Sequence, residues 1–149
     1  MTQLEQLLRE NVSAFDYMLG TKVDYVRDGE ASLSLLVEQR HCNPIGTVHG
    51  GVLMALADTA GACACFRGQD PTPTVEGKLN FLRPCRVGDT VTMVATELKH
   101  GRTLLTSDIK GYNQHGDLIA AGMYTYVTGR NKTADGAKAA VPGKNGCDP

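Results

Sequence analysis

Apolar residues along this chain change their period, and the changes mark the elements. Leu4, Leu7, Leu8, Val12, Phe15 and Leu19 recur at helical spacing, which predicts an amphipathic helix over residues 3–18. Two strand-like stretches follow at 22–27 and 30–37, parted by Asp28-Gly29, a hairpin signal. Residues 38–48 have no period and contain the loop marker Asn43-Pro44. Residues 50–66 then read GGVLMALADTAGACACF, apolar on every side with Asp58 as the one charge. A helix apolar all round is a buried helix. Four alternating segments follow at 74–83, 89–99, 102–112 and 118–128, with turns at His100-Gly101 and Gly116. In the first of them Val75, Leu79 and Phe81 share a face, and Pro84 closes it. That spacing predicts an antiparallel meander. From Gly129 the chain is polar, which predicts a mobile tail over 129–149 behind a single domain over 1–128.

A helix, a hairpin, one apolar helix and a four-strand run make an α+β chain. A curved antiparallel sheet must cover its apolar face, and the apolar helix over 50–66 is the obvious cover. A sheet wrapped around one central buried helix is the hotdog fold. One sheet face cannot enclose such a helix on all sides, so a dimer is expected.

Composition narrows the function. The 149 residues carry 15 Lys plus Arg against 16 Asp plus Glu, a net charge of −1, which speaks against a nucleic-acid surface. Neither a signal peptide nor a run of about 18 apolar residues is present, so a cytoplasmic protein without a membrane span is expected. The five cysteines, Cys42, Cys63, Cys65, Cys85 and Cys147, have no C-x-x-C spacing and read as reduced thiols. His41, His100 and His115 show no metal spacing. There is no G-x-S-x-G elbow, P-loop or dinucleotide fingerprint.

The chemistry concentrates in N-P-I-G-T-V-H-G-G, residues 43–51, and Asp58. Gly50 and Gly51 open the helix, where the first amides lack internal acceptors and sit at the positive end of the dipole. Uncovered by side chains, they can hold a developing oxyanion. Asp58, in the middle of an apolar helix, needs a partner, a solvated pocket or a role in chemistry. It could be bonded to a neighbouring amide or to Thr59. Burial would raise its pKa and nearby donors would lower it. His49 either donates to a substrate carbonyl or holds the loop. Asn43, preceding Pro44, reads first as a turn residue. Eight residues of helix separate Gly50 from Asp58 by about 12 Å, too far to act on one carbonyl. If both act on one substrate, they come from different chains.

The string N-P-I-G-T-V-H-G-G with L-A-D-T-A-G resembles the hotdog-fold acyl-CoA thioesterases. The nearest branch is the phenylacetyl-CoA thioesterase type, related to the 4-hydroxybenzoyl-CoA thioesterases. L-N-F-L-R-P at 79–84, Gly88-Asp89, H-G-R at 100–102, G-D-L-I-A at 116–120 and Thr125-Tyr126 extend the resemblance across roughly residues 15–128. It implies that Asp58 is the catalytic carboxylate, as general base or nucleophile. It implies that the Gly50 amide polarises the thioester carbonyl, that His49 assists and that Asn43 lies near the carbonyl or the water. Thr74 would help Asp58 orient water. Asn43, His49 and Gly50 of one subunit would face Asp58 and Thr74 of another, in a homodimer commonly paired into a homotetramer. Coenzyme A would be substrate, with no further cofactor and no metal. Its phosphates would need cations, for which Arg102, Lys99 and Arg83 are candidates. The leading expectation is hydrolysis of a small acyl- or aryl-CoA thioester. The alternatives are a non-catalytic acyl-CoA sensor, for which a buried Asp58 has no use, and a hotdog-fold enoyl-CoA hydratase. The hydratase would need an Asp and a His close together in one segment, whereas His49 and Asp58 lie nine residues apart.

Overall fold

A computed structural model describes residues 13–67 and 72–128. The elements run α1 (Ala14–Leu19), β1 (Lys22–Arg27), β2 (Glu30–Leu36), a 3-10 turn (Gln39–His41), α2 (Gly50–Cys65), β3 (Thr74–Phe81), β4 (Thr90–His100), β5 (Leu104–Tyr112) and β6 (Leu118–Val127). The described part of the predicted N-terminal helix is α1. The rest of the 3–18 span, the 129–149 tail and Cys147 lie outside the described residues.

The six strands form one antiparallel sheet in the order β1-β2-β4-β5-β6-β3. The chain leaves β2, runs through α2 and re-enters the sheet at its far edge as β3. The next three strands then fill the middle by hairpins. This is the predicted α+β hotdog architecture, a curved sheet around one long helix. Alternation gives β4 and β5 their inner faces, with Val91, Met93, Ala95, Leu105 and Ile109 fully enclosed. Leu53, Leu56, Ala57, Ala60 and Ala64 of α2 pack onto them.

Small residues let α2 lie close to the sheet. A Cβ at Gly61 would stand 2.2 Å from the Tyr126 hydroxyl and 2.5 Å from Ser107 Oγ, so only glycine fits there. The opposite side of α2 is different: Gly51 and Met54 are exposed, and Asp58, Thr59 and Ala62 are half-covered. Within one chain the apolar helix is therefore covered on one side only, the condition from which a second copy was expected.

β3 departs from its predicted pattern. Leu79 is 7% exposed, but Val75 and Phe81 are 55% and 51% exposed. A register shift between Thr74 and Glu76 takes Val75 out of the regular pleat. Phe81 closes the strand, and its ring lies against the Cα of Gly50. The strand also stops short of Pro84, because the Leu82 and Arg83 amides both turn to the Ile119 carbonyl.

Candidate active site

The loop before α2 is pinned by its side chains. His41 is buried; its Nδ1 accepts from the Glu38 amide at 2.9 Å and its Nε2 donates to the Leu19 carbonyl at 2.9 Å. The His41 carbonyl in turn accepts the His49 amide at 2.8 Å. Asn43 Oδ1 accepts from the Ile45 and Thr47 amides, and its Nδ2 donates to Thr47 Oγ1 at 2.9 Å. Asn43 is thus the turn residue its sequence context suggests, and it also lines a cleft of about 330 Å³.

Gly50, Phe81 and Arg83 line that same cleft. His49 is the N-cap of α2, with Nδ1 accepting from the Gly51 amide at 2.9 Å. So one of the two glycine amides marked out by sequence is consumed by the cap. The Gly50 amide has no acceptor among the described residues and remains the open donor at the helix start. Arg83 Nη1 donates to the Leu118 carbonyl at 2.6 Å.

Asp58 belongs to a second cluster. Thr74 Oγ1 donates to Asp58 Oδ1 at 2.8 Å, as the predicted pairing of these residues requires. Thr59, the alternative partner, turns instead to Asp16 of α1, donating to its Oδ1 at 2.9 Å. Tyr126 donates to the Asp58 carbonyl at 2.9 Å, and Tyr124 donates to the Met54 carbonyl at 3.1 Å. Burial holds the Asp58 carboxyl above the ordinary carboxylate range; the Thr74 and Tyr126 hydroxyls pull it down, and the Asp16 charge adds to the rise. Tyr124 is pushed up to about 12 by burial and by the Asp58 charge, and Tyr126 is raised for the same two reasons. Both phenols therefore stay protonated as donors at neutral pH.

Neither Asp58 nor Thr74 lines the Gly50 cleft, so one chain holds the two clusters apart. The cations divide between them. Arg83 sits with Gly50, whereas Lys99 and Arg102 are exposed around the β4–β5 turn. Register places that turn at the Thr74 end of the sheet: His100 pairs with Leu105, Leu105 with Tyr126, and Tyr126 with Thr74. Burial raises Cys63 and Cys65 to about 12 and also raises Cys85, which leaves these thiols without nucleophilic character at neutral pH. A larger groove of about 420 Å³, lined by Glu76, Lys78, Asp108 and Met123, lies on the other face of the sheet and holds none of these residues.

The contacts of Tyr124, Tyr126 and Asp16 escaped the sequence reading, although Tyr126 belongs to the family resemblance. Tyr124 and Tyr126 alternate along a strand, as any inward pair does, and nothing local shows that their hydroxyls meet helix carbonyls 70 and 68 residues away. Asp16 had one available signal, its place three residues after Ser13 in a capping pattern.

The sequence profile of the Thioesterase superfamily matches residues 45–120, half of the chain and all of α2 through β5. The chain belongs to the thioesterase superfamily. Human acyl-coenzyme A thioesterase 13 is 32% identical over 136 residues, covering 84% of this chain and 96% of its own. Escherichia coli acyl-coenzyme A thioesterase PaaI is 32% identical over 102 residues, covering 68% of this chain and 73% of its own. The structure of the E. coli PaaI protein from the phenylacetic acid degradation operon superposes with a TM-score of 0.78 at 29% identity, over 85% of this chain and 91% of that one. The resemblance drawn from residues 43–51 and 56–61 is thus borne out at the level of family and fold. Within the superfamily this chain is of the PaaI-like hotdog type and is a thioester hydrolase.

Proposed function

We propose that the protein hydrolyses a small acyl- or aryl-CoA thioester to the free acid and coenzyme A, at a site completed by two copies of the chain. The observation that carries this reading is the division of α2. An open amide and a hydrogen-bonded, half-buried carboxylate stand about 12 Å apart along one helix. Each is furnished for one half of a thioester hydrolysis and neither is complete alone. Two helices packed antiparallel by their uncovered sides bring the Gly50 amide of one copy toward the carboxylate of the other.

In this scheme the thioester oxygen accepts the Gly50 N–H, which stabilises the negative charge that develops as water adds. Asp58 takes the proton of the attacking water, and its raised pKa makes it the stronger base. Thr74 occupies Oδ1, which leaves Oδ2 for the water. The tetrahedral intermediate collapses with cleavage of the C–S bond, and the proton held by Asp58 returns to the departing thiolate. His49 holds the amide in place as helix cap, and Asn43 fixes the loop beside it. Arg83 on one side and Lys99 and Arg102 on the other supply cations for the coenzyme A phosphates.

The reaction uses no cofactor beyond its substrate. We place the working form as a homodimer, paired into a homotetramer. Among the described residues no helix is long and apolar enough to cross a membrane, and the free cysteines suit the reducing cytoplasm.

The test follows free thiol release from a panel of aliphatic and aromatic acyl-CoA substrates, with Asp58→Ala alongside. We expect turnover that falls on the order of 100-fold or more in the variant. Tight acyl-CoA binding without release would instead support the sensor, and equal rates in the two proteins would remove Asp58 from the chemistry. Addition of water across an enoyl-CoA would support the hydratase.

A further inference from the structure

Behind Asp58 stands a second carboxylate that the hydrolytic scheme leaves unused. Asp16 lies on α1 and is only 7% exposed, although it is charged. Both of its oxygens accept hydroxyl hydrogen bonds: Ser13 Oγ donates to Oδ2 at 2.5 Å and Thr59 Oγ1 donates to Oδ1 at 2.9 Å. Ser13 Oγ also accepts the Asp16 amide, which makes the pair a reciprocal cap at the start of α1. A cap alone has no need of burial. The bond to Thr59 adds a tie between α1 and α2 at the residue that follows Asp58.

We infer that Asp16 is a positioning residue for hydrolysis, tying α1 to the catalytic turn of α2 and placing a fixed negative charge behind Asp58. The inference rests on the role proposed for Asp58. A like charge nearby disfavours ionisation, so the base holds its proton more tightly and is stronger when ionised. The groups that act on Asp58 from the surrounding elements are few. Asp16 comes from α1, the uncharged Thr74 from β3, and the phenols Tyr124 and Tyr126 from β6. Among them Asp16 is the one carboxylate. The same charge reaches Cys63 one turn further along α2 and raises its thiol.

The experiment separates charge from tie. Asp16→Asn keeps the shape and an acceptor for Thr59 but removes the charge; Thr59→Val keeps the charge but removes the tie. Two readouts are taken on the full chain: the pH dependence of kcat/KM, and titration of the Asp58 carboxyl by 13C NMR, its signal identified through Asp58→Asn. In Asp16→Asn we expect the Asp58 titration and the acid limb of kcat/KM to move together to lower pH, with kcat at neutral pH lower by roughly 3- to 10-fold. In Thr59→Val we expect the acid limb to stay and kcat to fall with KM little changed. Should Asp16→Asn not fold, Asp16→Ser removes the same charge. An Asp58 titration at the same pH with and without the Asp16 charge would overturn the inference. A titration that moves while the acid limb stays would overturn the assignment of Asp58 as the base, and with it the part of Asp16 in hydrolysis, while showing that the two carboxylates are coupled.

Discussion

The two ends of the α2 story are built from different materials. At its start the group proposed to act is a backbone amide that opens on a cleft, and three side chains hold the backbone there: His49 caps, Asn43 folds the loop, His41 anchors it. At its middle the group proposed to act is a half-buried side chain: Thr74 bonds the carboxylate, Tyr126 bonds the backbone carbonyl of the same residue, and Asp16 holds the neighbouring Thr59. The amide belongs to the backbone, so short of a proline it survives any substitution and is lost only when a side chain covers it, whereas almost any substitution of Asp58 removes the carboxylate. The two ends should therefore respond differently to damage.

The largest expected effect tests whether the ends meet in one site across two chains. Asp58→Ala and Gly50→Ala, each impaired alone, are mixed and allowed to exchange subunits. Half of the dimers are then mixed, and each mixed dimer has one intact site, so activity returns to roughly a quarter of wild type. No recovery after proven exchange would show that the two groups do not meet across two chains. Gly50→Ala alone should lower kcat by about 10-fold or more, because its Cβ would enter the cleft 2.9 Å from the Phe81 ring. That ring is half-exposed and can give way, so the melting temperature should hold.

Gly61→Ala reverses that pattern. Its Cβ meets Tyr126 and Ser107 in the core, where nothing can move cheaply, and chemical denaturation should show a loss of about 1–3 kcal/mol. A Gly61→Ala protein as stable as wild type would mean the helix is not held against the tyrosines. His49→Ala should cost about 1 kcal/mol as a lost cap, with a modest fall in kcat as the first turn frays; thiol release and thermal melts report both.

The smallest effect is a gain. Asp58 has its carboxyl raised by burial, so the folded chain keeps that proton to higher pH than the unfolded chain does. The cost to stability is absent below the unfolded value, grows as pH rises through the window between the two values, and is complete above the folded one. Asp58→Asn should therefore raise the melting temperature at pH 7, and the gain should fade toward pH 3. A gain that grows in acid would contradict the raised carboxyl.

Much of this site could be read from the chain because its parts have local signatures. A glycine pair at a helix start and one charge in an apolar helix are visible within a few residues, whereas Thr74 is marked by the family resemblance alone; Gly50 opens α2, Asp58 stands in its middle and Thr74 donates to Asp58. The division of labour between the two glycine amides was not visible, since it depends on a rotamer of His49. The exposure of Val75 and Phe81 was hidden for another reason. Alternation marks a face but not what covers it, and the position of β3 at the sheet edge is a property of topology. The tyrosine anchors and the Asp16 tie join elements far apart in sequence, where periodicity carries no information about partners.

The pair of tyrosine hydroxyls works like two pegs in a rack. They engage the carbonyls of Met54 and Asp58, four residues and hence about one helical turn apart. One peg would fix the height of the helix but let it roll; two fix height and roll together. The side chains of the opposite flank, those of Met54 and Ala62, take no part in that engagement. Side chains there can change in size, and with them the shape offered to an acyl chain, while the carboxylate stays in register. The fold thus separates what can drift over evolutionary time from what must stay put.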